Sequence, residues 1–133
     1  MTNLNNKGQT LIMFVLIIPI LILVAILAID IGNISNSKIS LNNINTLALE
    51  YGLENKDNAN ILNDMIDLIQ KNDNSITDIR IFEIENGFKI GLSKEENSIL
   101  GSFININNYT ILSEYEGRVE NNNFIIKRIK WKG

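Results

Sequence analysis

The sequence predicts an α+β fold: a long N-terminal transmembrane and then amphipathic helix, a short second helix, and a small antiparallel β-sheet. Three observations carry this expectation. The run from Leu11 to Ile29 is apolar and free of charge. Beyond it, apolar residues recur at three- and four-residue spacing as far as Tyr51, which is the helical period. From Ile79 onward, short alternating stretches are separated by Asn-rich turns, which is the pattern of strands.

At 133 residues the chain has room for one small domain and one further element. Hydrophobic residues make up 45% of it, but many sit in the one apolar run, so the remaining core is modest. A net charge of −3 and a pI near 4.9 speak against nucleic acid as a partner. Cys and His are absent. That removes thiolate chemistry, disulfides, imidazole bases and the usual zinc sites. With no G-x-S-x-G nucleophile motif either, the expectation is a protein that is not an enzyme and uses no cofactor.

At 1.5 Å per residue the Leu11–Ile29 run spans roughly 28 Å, close to the hydrocarbon thickness of a bilayer. A fully buried core helix would need a larger protein around it. A cleaved secretory signal would carry a shorter apolar region and a small-x-small site, whereas a cut after Ala28 would put Ile26 where a small residue is wanted. A retained anchor is the better reading. Pro19 removes one helix hydrogen bond and should bend the helix. Lys7 precedes the span and Asp30 follows it, so the positive-inside bias favours a cytoplasmic N-terminus and an exported C-terminal part.

The helix can continue over Asn33–Leu53, with Leu41, Ile44, Leu47, Ala48 and Tyr51 on the inward face and Asn42, Asn43, Asn45 and Glu50 off it. Gly52 and Asn55 read as stop signals. Within Asn33–Ser37, short polar side chains compete for backbone groups and leave a hinge open. Asp57 or Asn58 can cap a second helix reaching about Lys71, with Ile61, Leu62, Met65, Ile66 and Ile69 inward. Ile79–Glu85, Asn86-Gly87 and Phe88–Leu92 read as a hairpin with a type I′ turn. Tyr109, Ile111, Ser113, Tyr115, Gly117 and Val119 alternate with polar or exposed partners, and the Asn121–Asn123 run turns the chain into a last strand, Phe124–Trp131.

Several side-chain groups invite chemical readings. Glu114 and Glu116 share one strand face, but glycosidase carboxylates flank a cleft, so a solvated face is expected. Asp64 and Asp67, one turn apart, read the same way. Asp73-Asn74-Ser75-Ile76-Thr77-Asp78 resembles the opening of a calcium loop, but it lacks the sixth-position Gly and has Ile84 where the bidentate Glu belongs. The basic Lys127–Lys132 stretch, with Ile129 and Trp131 between the charges, reads as an amphipathic edge strand. Asp30 reads equally as an interfacial carboxylate and as a subunit contact.

The N-terminal layout is a short polar leader, Lys7-Gly8-Gln9, and then the apolar helix, with Phe14 near its start, Pro19 within it and Asp30-Ile31-Gly32 at its end. This resembles the TadE/TadG-like proteins of the tight-adherence pilus system, a branch of the type IV pilin superfamily. The likeness covers residues 7–32 best. It implies a cleaved leader over 1–8, a transmembrane helix over 9–31 and an exported pilin-like domain over 32–133. It further implies processing at Lys7, Gly8 and Gln9 by a prepilin peptidase, and helix packing through Met13, Phe14, Pro19, Asp30 and Gly32. The implied partners are other pilin or pseudopilin subunits, the pilus assembly platform and the lipid bilayer. The implied location is the cytoplasmic membrane, in or at the base of a pilus. Met13 stands where TadE proteins and true pilins usually carry Glu, which points to a minor pilin or pseudopilin. The competing expectation is a single-pass membrane-anchored interaction protein with no filament role.

Overall fold

The computed structural model describes residues 2–106 and 108–131, with side chains from Lys7 onward. Helix α1 (Thr2–Glu54) is one α-helix of 53 residues, about 80 Å long at 1.5 Å per residue. It runs through Pro19 and through Asn33–Ser37 without interruption. The hinge left open there does not form. The Ser37 hydroxyl donates to the Glu96 carboxylate at 2.7 Å, so it serves the sheet and does not compete for the helix backbone.

Helix α2 (Ile61–Asn72) starts later than the predicted cap. Asn58 instead organises the preceding turn: its Oδ1 accepts from the Asn60 amide at 3.0 Å and its Nδ2 donates to Asp64 at 2.9 Å. Strands β1 (Ile76–Ile84), β2 (Gly87–Asn97), β3 (Asn108–Glu120) and β4 (Asn123–Arg128) form an antiparallel sheet in chain order. A one-turn helix, α3 (Ile99–Ser102), interrupts the β2–β3 connection. The predicted α+β architecture is therefore the observed one.

The core lies between the C-terminal half of α1, α2 and the inner face of the sheet. Leu41, Ile44, Ala48, Leu49 and Leu53 meet Ile61, Met65 and Ile69 of α2 and Phe88, Ile90, Leu92 and Ile111 of the sheet. Gly52 belongs to this contact and does not stop the helix. A Cβ there would stand 2.7 Å from the Met65 sulfur. The inward face of α1 is rotated from the predicted one: Leu47 is 45% exposed, whereas Asn45 is fully buried. Positions 41, 44, 45, 48, 49, 52 and 53 make a regular helical stripe, and Asn45 falls inside it. Burial of its amide nitrogen is offset by hydrogen bonds, while its Oδ1 has no partner among the described residues. Its Nδ2 is shared among the Ile90 carbonyl at 3.1 Å, the Ser113 carbonyl at 3.0 Å and the Ser113 hydroxyl at 3.2 Å.

The turns also differ from expectation. Ile84 pairs with Gly87, so Glu85 and Asn86 are the central residues of the first hairpin, and only Asn86 has positive φ, at 61°. Gly87 is needed for a different reason. A Cβ on it would fall 1.8 Å from the Gly117 carbonyl oxygen of β3. The two-residue turn with both φ values positive, which is what type I′ requires, is Asn121-Asn122 at 52° and 64° between Glu120 and Asn123. There the Asn run has a conformational role.

On the outer face of the sheet, Glu116 is only 6% exposed, contrary to the solvated face predicted for it. Lys127 stands directly opposite in the strand register, with its ammonium 3.3 Å from the carboxylate, and Arg118 lies at 3.5 Å. The last strand ends at Arg128, before the predicted Trp131. The Ile129 amide still donates to the Glu114 carbonyl of β3 at 3.0 Å, and beyond it the Trp131 ring lies over the outer face, 4.7 Å from the Arg80 guanidinium and 5.2 Å from the Phe82 ring. Of the basic C-terminal stretch, Lys132 lies outside the described residues.

Candidate functional site

The two halves of α1 have opposite environments, and Asp30 stands between them. From Leu11 to Val24 every large apolar side chain is exposed, and none of the most apolar 18-residue window of the helix is buried within the protein. From Leu41 to Leu53 the same helix supplies one wall of the core. A water-exposed helix of such composition is unfavourable, because each large side chain forgoes about 1.5–3 kcal/mol of burial. The N-terminal half is therefore long and apolar enough to cross a membrane.

Asp30 closes the apolar half and is 2% exposed. Its Oδ2 accepts from the Ser98 hydroxyl and the Leu100 amide, and its Oδ1 from the Ile99 amide, each at 2.9 Å. Ser98 in turn caps α3, its Oγ accepting from the Gly101 amide at 2.7 Å. The first amides of a helix have no partner in their own backbone, and here a carboxylate from α1 satisfies two of them. Its geometry is that of a clamp joining the start of the β2–β3 connection to the end of the apolar segment.

The other residues singled out from sequence are not gathered around Asp30. Lys7, Gly8 and Gln9 lie on the exposed N-terminal part of α1. Met13 and Phe14 are 59% and 58% exposed and share a shallow apolar groove with Ile17, Ile18 and Leu21. Pro19 lines a second groove with Ile22, Leu23, Ile26 and Phe103. Gly32 is open on all sides, with nothing within 4 Å of where a Cβ would stand. Sequence reasoning missed Ser98 and Phe103, which meet α1 only through the fold. No local pattern pairs Ser98 with a residue 68 positions away.

Asp73, the first position of the calcium-like run, is held within the protein. Lys94 donates to its Oδ2 at 2.8 Å, and the Ser75 amide and hydroxyl donate to its Oδ1. Partial burial works to raise its pKa, but the Lys94 and Ser75 hydrogen bonds prevail and hold the carboxyl below its ordinary value. Among the described residues no group of three or more His, Cys, Asp or Glu side chains converges as a metal site. Compared with protein-family models, with curated proteins and with solved structures, the chain has no match.

Proposed function

We propose that this chain is a minor pilin or pseudopilin-like subunit of a tight-adherence-type pilus assembly system. In this reading a prepilin peptidase removes residues 1–8, and the apolar half of α1 holds the subunit in the cytoplasmic membrane. The same surface then packs laterally against other subunits at a filament or its base, while the α+β part lies outside the cytoplasm. The observation that carries the reading is the continuity of α1 from a bare apolar half into the core of the small domain. Such a helix transmits force and position directly between a membrane or filament core and the exported domain. The Lys7-Gly8 pair ahead of the apolar run supports a processing site there.

The test is quantitative mass spectrometry of filaments sheared from the native host, together with a Gly8→Leu variant. The expected result is a low but reproducible amount of this chain, lost when position 8 is bulky because the leader is retained. Equal recovery of the Gly8→Leu chain in the sheared fraction, or its absence for the native chain, would count against the proposal.

A further inference from the structure

The β2–β3 connection carries an apolar surface that the core does not use. Phe103 is 73% exposed, Ile104 64%, Ile106 54% and Ile99 44%. From Asn97 to Ser113 the sequence holds no Asp, Glu, Lys or Arg. An exposed loop would ordinarily be polar and leave part of its backbone to water.

This one is uncharged and mixes Ser98, Ser102 and Asn105 with exposed apolar side chains, and most of its amides are paired within the protein. The Ile99 and Leu100 amides donate to Asp30 and the Gly101 amide to Ser98 Oγ. The amides of Ser102, Phe103, Ile104 and Ile106 donate to the carbonyls of Ser98, Leu100, Gly101 and Gly101 respectively. Seven of the eight amides from Ile99 to Ile106, all but that of Asn105, are thus satisfied internally. Internal pairing lowers the desolvation cost that these amides would meet away from water.

Position supplies the partner. The sheet descends along α1 in a fixed order. Ile90 meets Asn45, Glu96 meets Ser37, Ser98 meets Asp30, and Phe103 shares a shallow groove with Pro19, Ile22, Leu23 and Ile26. Ile22 lies eight residues below Asp30, about 12 Å along the helix axis. The loop tip is therefore level with the interior of the apolar run and not with its end.

We propose that the β2–β3 loop is a second membrane-embedded element, with Phe103, Ile104 and Ile106 in the lipid beside α1 and the Asp30–Ser98 clamp setting its depth. The proposal rests on the reading of α1 as a membrane anchor. The loop widens the anchor from one helix to a wedge, and it fixes the rotation of the exported domain about α1 relative to the bilayer surface.

The absence of Cys permits a direct test on the full chain. Single-cysteine variants Leu23→Cys, Ile104→Cys and Asn123→Cys are labelled with an environment-sensitive fluorophore and reconstituted into phosphatidylcholine vesicles. Quenching by lipids with nitroxide-bearing acyl chains is then measured. The expected result is quenching at Ile104→Cys comparable to Leu23→Cys and several-fold above Asn123→Cys, at the β3–β4 turn. Quenching at Leu23→Cys with Ile104→Cys resembling Asn123→Cys would overturn the loop insertion while leaving the anchor intact. Absence of quenching at both positions would overturn the anchor and the loop together. A label at Ile104→Cys that is shielded from water but not quenched by lipid would place protein, such as a second copy, over the loop and would equally overturn the proposal.

Discussion

Asp30 and Ser98 are 68 residues apart in sequence, yet the Ser98 hydroxyl donates to the Asp30 carboxylate at 2.9 Å and the pair is buried. The contact joins the last turn of the apolar segment to the first turn of α3, so the β2–β3 loop is tied to α1 at one point. Replacement Asp30→Asn keeps the shape but removes the charge and turns one acceptor into a donor facing other donors. The sheet is expected to stay folded, because none of its core contacts involve Asp30. Hydrogen exchange read by mass spectrometry should accelerate several-fold in peptides covering residues 98–106 and remain unchanged in those covering β1 and β4. Uniform acceleration would show that Asp30 acts on the whole domain and not on the loop.

Asn45 is the polar residue in an otherwise apolar helix–sheet contact. Asn45→Ala removes the donors to Ile90 and Ser113 and leaves a void beside them. The expected cost is about 1–3 kcal/mol, the range for loss of a buried hydrogen-bond partner. Chemical denaturation of the full chain in detergent, followed by near-ultraviolet signals from the aromatic residues, measures it. Leu47→Ala, on the exposed side of the same turn, should lie within about 0.5 kcal/mol of the native chain.

The Asp73–Lys94 pair predicts an acid limb in stability. A carboxyl whose folded pKa is lowered contributes stability that is fully present above its unfolded value, about 4, and is lost as the pH falls through the lower folded value. Lys94→Met should therefore weaken the chain near neutral pH and flatten its loss of thermal stability on acidification to about pH 3, below the ordinary Asp value. A variant with an unchanged acid limb would assign that limb to other carboxylates.

Met13 bears on subunit abundance. If α1 packs in a filament core, an unpaired N-terminal amine from a neighbouring subunit costs several kcal/mol unless a carboxylate meets it, and a thioether offers it only dispersion. Met13→Glu is expected to raise the fraction of this chain in sheared filaments, measured against a labelled peptide standard. A fall in incorporation would contradict the electrostatic argument.

Much of the architecture was readable because each element carries its own period. The apolar run, the 3.6-residue stripe and the alternation of β3 are local signals. The structure departs from the sequence pattern where a local signal has two meanings. Asn45 reads as outward because it is polar, although the Leu41, Leu49 and Leu53 spacing places it in the buried stripe. Asn86-Gly87 carried a turn signal, but Gly87 serves the approach of β3 and the two-residue positive-φ turn belongs to Asn121-Asn122. Glu116 reads as a surface carboxylate until Lys127 is placed opposite it by the hairpin. The clamp at Asp30 and the Phe103 groove depend on pairings across the fold, and the hydrophobicity of Phe103, Ile104 and Ile106 was the one trace of them in the sequence.

The central claim, that this chain enters a pilin-type pathway, is tested most directly by the intact mass of the protein recovered from membranes of its native host. The account predicts a mature chain beginning at Gln9, cut after Gly8. A chain that retains residues 1–8, or one that begins after Ala28, would contradict it.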